Sequence, residues 1–288
     1  PKPALSVLER AYYDSSSSFI LVAIPLFILM AHLLTVGNVT KRAIDACQAW
    51  IGHMRGGLAM ATVAASVLLA ALIGSSTASA AAMGAAAFPE MRRYGYSEKL
   101  AAAVVSVGGT LAVVIPPSIV LVVYGVLTET SIGKLIIAGI VPGMLTALGL
   151  IVVVKFIANT TDQAPKGPPF QLRRAVRESG QVWPVVVLIA AVIGSIYGGL
   201  ASPSEAAAFG AMGALLFGLV QRTLSMSLFS KAVSQAIQST VMILAIVACS
   251  AIFANYLAFT RITHTIIDVV NNSGFPPYAI LSLIVLIL

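Results

Sequence analysis

The residues able to do chemistry in this chain are concentrated in two short stretches of an otherwise apolar sequence. In LIGSSTASA, Leu72 to Ala80, four hydroxyl side chains (Ser75, Ser76, Thr77 and Ser79) fall in the middle of a long apolar run. In GGTLAVVIPPS, Gly108 to Ser118, paired glycines are followed by paired prolines. A helix break is predicted at Gly74 to Ser79, and another at Gly108 to Ser118, where proline has no backbone donor and disfavours helix in the residue before it. An interrupted helix leaves carbonyl oxygens without donors, and Ser or Thr hydroxyls add neutral oxygen ligands, a set that suits a hard monovalent cation. The helix that restarts after the break presents free N–H groups and the positive end of its dipole, which suits a carboxylate. Packing is the competing explanation, because Gly74, Ala78 and Ala82 have the four-residue spacing of close helix contacts in membranes.

The elements that position these stretches must be membrane helices. Of the 288 residues 59% are hydrophobic and only 9% charged, against roughly 25% charged in soluble domains, which leaves too little polar surface for a water-soluble fold. The apolar residues gather into blocks at Phe19–Val36, Gly56–Pro89, Leu100–Leu127, Ile132–Ala158, Val182–Leu200, Ala206–Val220 and Val241–Phe259, with an unfinished one from Ala279 that predicts a longer polypeptide. An all-α polytopic membrane protein embedded in the lipid bilayer follows. The net charge of +7 lies in short clusters between the blocks, as topology signals do, and not in a basic stripe with aromatics, so no nucleic-acid partner is expected. Cys47, Cys249 and three scattered histidines have no metal-ligand or disulfide spacing. Ser75 has no evident His or Lys partner for nucleophilic catalysis, so no enzyme is expected. The absence of Asp or Glu deep inside a block argues against a carboxylate proton relay.

Placing the basic clusters on one side makes the third and fourth blocks an out-and-back pair, and likewise the fifth and sixth. Gly56 to Pro89 is too long for one span and too short for two, so a helical hairpin entering and returning on the basic side is predicted, with its midpoint near Ile73. Asn38–Met54, Gln221–Ile237 and Phe170–Gln181 read as short amphipathic helices lying along the interface. The last belongs to a polar linker bracketed by Gly167-Pro168-Pro169 and Trp183-Pro184. Four parts result: 1–55, 56–158, a cytoplasmic linker at 159–181, and 182–288. Glu205 reads as an early-turn helix acid, Arg92 and Arg93 as topology determinants, and Lys134 with Glu129 as a loop at the far interface. Aligning Ala31–Asp45 with Ala254–Asp268 matches five of 15 positions, with His32 opposite Asn255 as candidates for interhelical hydrogen bonds. Such weak internal symmetry with broken helices suits a secondary transporter built from inverted repeats. The counterpart of Gly74 would then fall beyond Leu288.

GSSTASAAAMGAAAFPEMRRYGY, then GGTLAVVIPPSIVLVVYGVLTETSIGKLIIAGIVPG, and later YGGLASPSEAAAFGA closely resemble the large membrane subunit of tripartite ATP-independent periplasmic (TRAP) transporters over most of the chain. The resemblance implies a multi-pass protein of a bacterial inner membrane that imports organic acids, such as C4-dicarboxylates or sialic acids, using Na+ as coupling ion. It implies two partners, a small membrane subunit of four helices and a periplasmic substrate-binding protein. It also implies an inverted-repeat elevator fold, in which re-entrant hairpins move against a scaffold through interfacial arm helices. Carried over, Asn38–Met54 resembles an arm and Gly56–Pro89 the first hairpin. The first Na+ site would draw on Ser75, Ser76 and Thr77 with Gly108, Gly109, Thr110, Val114 and Pro117, and Ser79 and Ser118 are the candidate substrate contacts. The chain departs from the family at Ala112, where Gly is frequent, and at Ser202-Pro203-Ser204-Glu205, where Thr-Pro-Thr-Glu is frequent. A second hairpin and a second Pro-Pro break are not in the sequence, so these 288 residues alone are not expected to transport. A carboxylate carrier that works without a soluble partner is the alternative.

Overall fold

The computed structural model describes residues 19–36, 39–260, 262, 267–268, 272 and 276–287. Among them every named element is helical: α1 (Ala23–Val36, after a 3-10 turn Phe19–Val22), α2 (Val39–Ile51), α3 (Gly57–Ile73), α4 (Ser76–Arg93), α5 (Glu98–Val114), α6 (Ile119–Leu127), α7 (Ile132–Thr160), α8 (Leu172–Tyr197), α9 (Pro203–Val220), α10 (Met226–Phe259) and α11 (Pro277–Ile287). Five described segments are long and apolar enough to cross a membrane, with α5 and α6 together forming one of them, or six if the bent pair α1 and α2 counts as one. The chain is therefore an all-helical, multi-pass membrane protein. By internal contacts it falls into two units, Ser18–Val241 and a second that includes Met242–Leu288. All that bears on the broken helices lies in the first.

The hairpin predicted from length and charge is present as α3 and α4, joined through Gly74 and Ser75. Its two ends meet: the Leu58 N–H donates to the Tyr96 hydroxyl at 3.1 Å, and the Thr62 hydroxyl donates to Met91 Sδ at 3.9 Å. A helix of 17 residues rises about 25 Å, short of a hydrocarbon core of about 30 Å. The open end of the hairpin is held by the segment between α7 and α8. Gly56 N–H donates to the Pro165 carbonyl at 3.2 Å, and Ser97 N–H to the Gln163 carbonyl at 3.0 Å. Arg55 pairs with Asp162 at 2.8 Å, although at an exposed carboxylate such a pair contributes little.

Both interruptions are shorter than the sequence predicts. The first occupies Gly74 and Ser75 rather than Gly74 to Ser79, because Ser76 already opens α4 and an alanine-rich run sustains it. The second occupies Ile115 to Ser118, and Gly108 and Gly109 stay helical. Their role is contact rather than breakage: a Cβ at Gly108 would lie 2.6 Å from Ser66 Oγ in α3, and one at Gly109 2.6 Å from Ala80 Cβ in α4. The missing side chains let α5 lie against both arms of the hairpin.

Two further expectations change. The amphipathic segments Phe170–Gln181 and Gln221–Ile237 are not separate helices. α8 runs from Leu172 through Pro184 to Tyr197. Pro184 withdraws the donor due to the Gly180 carbonyl, but Gly180 is exposed, so water replaces that donor. Only residues 161–171 remain between α7 and α8, less than the predicted linker 159–181. α10 runs unbroken for 34 residues because it contains no Gly or Pro. The arm predicted over Asn38–Met54 corresponds to α2, with Asn38 outside the described residues; its buried face includes Val39, Ala43 and Ile44. Of the aligned repeat segment Ala254–Asp268, residues 261 and 263–266 also lie outside them. Asn255 donates to the Ala251 carbonyl of its own helix at 2.9 Å, and among the described residues its amide has no bond to another helix. His32 is half-buried in α1.

Glu205 takes the structural role expected of it. With Ser202 it forms a capping box at the start of α9: Ser202 N–H donates to the Glu205 carboxylate at 2.7 Å and Glu205 N–H donates to Ser202 Oγ at 3.3 Å. Ser202→Ala is expected to cost about 1 kcal/mol, read as a lowered thermal unfolding midpoint.

Candidate functional site

The two interruptions meet. The Ile119 N–H, first in α6, donates to the Gly74 carbonyl at 3.2 Å, so the tip of the hairpin is bonded to the residue that restarts the broken span. The approach is close enough to require glycine: Gly74 has φ +60°, and a Cβ there would lie 2.8 Å from the Pro117 carbonyl oxygen. Four helix ends therefore converge, the C-termini of α3 and α5 and the N-termini of α4 and α6. Behind the break stands α7, where a Cβ at Gly139 would lie 2.7 Å from the Val114 oxygen and one at Gly143 2.6 Å from Ile115 Cγ1. Residues 115 to 119 are all buried, so the non-helical backbone is enclosed by protein, the condition for its existence at membrane depth.

The chemistry of this junction follows from which groups are left free. In a helix the carbonyls of Ala112 and Val113 accept from residues 116 and 117, and both are proline. These oxygens consequently have no helical donor. On the N-terminal side, neither Ser75, the N-cap of α4, nor Ser118, the N-cap of α6, caps its helix through its side chain, so the first-turn N–H groups are not taken up by those hydroxyls. Among the described residues four buried hydroxyls have no hydrogen-bond partner, and two of them, Ser79 and Ser118, flank the junction. Ser79 is 0% exposed and Ser118 1%. A buried hydroxyl without a partner is costly, so these two fit a ligand that supplies the missing contact. Neutral carbonyl and hydroxyl oxygens without a carboxylate fit a monovalent cation better than a divalent one.

The residues singled out from sequence take up different places. Ser75 and Ser76 are half-buried at the tip, and the Ser75 and Thr77 hydroxyls lie 3.2 Å apart with Thr77 exposed. Pro117, Ser118 and Ser79 are at or beside the junction, and Val114 ends α5 against α7. Gly108 and Gly109 belong to the packing that brings α5 onto the hairpin. Thr110 is not gathered in: it is exposed and its hydroxyl donates to the Val107 carbonyl of its own helix at 2.7 Å. The packing explanation for Gly74 is also realised, since Gly74 is both a contact and the tip acceptor. Within the backbone from Gly108 to Pro117, counting four back from each proline singles out Ala112 and Val113; the residues overlooked in the sequence are Gly139 and Gly143, whose spacing in α7 marks a close contact.

Over residues 2–288 the chain matches the family described as the tripartite ATP-independent periplasmic transporter, DctM component. The chain belongs to this family. Among relatives of the TRAP permease, the C4-dicarboxylate TRAP transporter large permease protein DctM of Pseudomonas aeruginosa is 39% identical over 277 residues, 96% of this chain and 65% of the relative. The protein of the same name from Vibrio cholerae is 32% identical over 304 residues, 98% of this chain and 67% of its own length. The ectoine TRAP transporter large permease protein TeaC of Halomonas elongata is 35% identical, covering 91% and 61%. This TRAP permease sequence thus spans about two thirds of the length of the curated relatives it matches. The relatives matched are transporter permease subunits, which are not enzymes.

Proposed function

We propose that the protein is the large membrane subunit of a sodium-coupled importer of organic acids in a bacterial inner membrane, with C4-dicarboxylates the leading substrates and sialic-acid-like carboxylates the next. The observation that carries this reading is the Gly74 carbonyl to Ile119 N–H bond at 3.2 Å, because it gathers free carbonyls and free N–H groups of four helix ends around two unpartnered hydroxyls. The Ala112 and Val113 carbonyls with Ser75 and Ser76 would hold Na+. The N-termini of α4 and α6, with Ser79 and Ser118, would face the substrate carboxylate. Bound Na+ supplies positive charge beside the carboxylate, which links occupancy by the ion to affinity for the acid. The short hairpin α3–α4 fits a re-entrant element that moves with α5 to α7 while α1, α8 and α9 stay as scaffold, with α2 as the arm between them. A periplasmic binding protein would deliver the acid, and a four-helix small subunit would stand beside the scaffold.

The test is uptake of a labelled C4-dicarboxylate by the complete transporter in proteoliposomes. A Na+ gradient is expected to drive accumulation only with the binding protein present. Ser75→Ala with Ser76→Ala is expected to raise the Na+ concentration for half-maximal uptake about tenfold, about 1.4 kcal/mol, at unchanged thermal stability. Equal uptake with K+ in place of Na+ and no other cation gradient refutes sodium coupling. Uptake without the soluble protein supports a stand-alone carrier, and a matching loss of stability in the double variant assigns the serines to packing.

A further inference from the structure

The two tryptophans of this chain, Trp50 and Trp183, lie far apart in sequence and line the same groove. It has a volume of about 390 Å³ and runs between α2, α3 and α8, walled by Cys47, Leu68, Val182 and Val186. Trp50 and Trp183 are 47% and 60% exposed, so each ring covers the groove and still faces outward. One polar group is fixed there: Trp50 Nε1–H donates to Ser179 Oγ at 2.8 Å. Exposed tryptophans with an apolar body and a donor at one edge belong at the headgroup level of a bilayer.

No charged side chain is among the groove's lining residues, and charge is distributed unevenly along α8 beyond it. Toward the C-terminus the helix is apolar, with Val182, Val185, Val186 and Val187. Toward the N-terminus it carries Arg173, Arg174 and Arg177, all exposed, while α2 carries Lys41 and Arg42. Arg174 also lines a small cavity with Gln48, His53 and Phe170, and Phe170 links it to the groove by ring contact with Trp50 at 6.2 Å. The acids nearby are fewer and partly engaged. Asp45 is half-buried, and Glu178 accepts from Gln181 at 2.9 Å and pairs at 4.0 Å with Arg177, whose side chain stays largely exposed. Arg42 is occupied by Gln221 at 2.6 Å, whereas Arg173 and Arg174 have no hydrogen bond or ion pair among the described residues.

We infer that this groove is a binding site for an anionic phospholipid, with an acyl chain between the two tryptophans along Val182 and Val186 and the phosphate at Arg174 and Arg177. Aliphatic lining selects for a chain, and cations placed at the headgroup end select for negative charge. A membrane-spanning segment of a partner protein fits the lining less well, because its apolar stripe would meet the arginines where α8 leaves the hydrocarbon. The inference rests on membrane embedding alone and does not depend on the transported substrate or ion.

The tryptophans themselves report on the site. The purified full-length permease is placed in nanodiscs of phosphatidylcholine containing a small fraction of either brominated phosphatidylglycerol or brominated phosphatidylcholine, and fluorescence quenching is recorded. Trp50→Phe and Trp183→Phe variants assign the signal. The anionic bromolipid is expected to quench at a several-fold lower mole fraction, and Arg174→Gln with Arg177→Gln is expected to remove the difference, each arginine contributing about fivefold. Equal quenching by the two lipids shows an ordinary lipid annulus and overturns the site. So does a preference that survives the double arginine variant, or loss of quenching by both lipids when the small membrane subunit is bound. The substituted arginines are exposed, and an unchanged thermal midpoint in the double variant separates loss of binding from loss of fold.

Discussion

Gly74→Ala is expected to abolish most uptake and to lower stability by about 2–4 kcal/mol, whereas Gly95→Ala is expected to cost only about 1–2 kcal/mol. Both glycines adopt left-handed backbone, φ +60° and φ +84°, but their surroundings differ. Nothing lies within 4 Å of a Cβ at Gly95, so alanine there carries the conformational penalty alone. At Gly74 the added carbon would meet the Pro117 oxygen at 2.8 Å and the Ile119 nitrogen at 3.3 Å. Both are backbone atoms in a buried segment and cannot swing aside as a side chain does. The junction must open, and the hydrogen bond from Ile119 N–H to the Gly74 carbonyl breaks first. Thermal unfolding of the two variants side by side measures the collision as the difference between them. Equal effects mean that the tip is not pressed against the break, and the four helix ends then do not form one site.

The location of that junction is legible in the sequence because its causes are local. Prolines at 116 and 117 stop a helix whatever surrounds them, and a run of 34 residues from Gly56 to Pro89 has few ways to return to the side it left. The extent of each break is not legible, since Gly108 and Gly109 look like helix breakers until the Ser66 and Ala80 atoms that occupy their missing side chains are known. Propensity penalises glycine in a helix by about 1 kcal/mol, and close packing of three helices offsets it. Ser76, Thr77 and Ser79 likewise read as irregular chain by composition, but an alanine-rich continuation carries them as the first turn of α4. The polar linker is shorter than its composition suggests for a similar reason, because Trp183-Pro184 looks like a boundary and α8 runs through it where the bare carbonyl of Gly180 reaches water. Contacts between segments distant in sequence, such as Gln163 with Ser97 or Gly139 with the Val114 oxygen, leave no signature in one sequence. The carbonyls of Ala112 and Val113 do leave one, since the residues deprived of donors are fixed by the positions of the prolines.

The second large effect concerns the two buried hydroxyls and separates substrate from ion. Ser79→Ala with Ser118→Ala removes groups that have no hydrogen-bond partner among the described residues, so folding loses no bond seen there and is relieved of two desolvated hydroxyls. The ligand-free protein is expected to be equally stable or up to about 1–3 kcal/mol more stable for each group removed. If those hydroxyls receive the substrate carboxylate, the same variant raises the substrate concentration for half-maximal uptake at least tenfold, while the Na+ dependence moves less. Ser75→Ala with Ser76→Ala is expected to show the opposite pattern, a shift in Na+ dependence with little change for the acid. Ser118→Thr keeps a hydroxyl on the same Cβ and should recover much of the loss at that position. A variant that gains stability while losing substrate affinity has no explanation in packing, because packing defects lower both. A drop in stability with unchanged uptake would show instead that Ser79 and Ser118 hold helices together, and the carboxylate would then have to be sought at the free N–H groups of α4 and α6 alone.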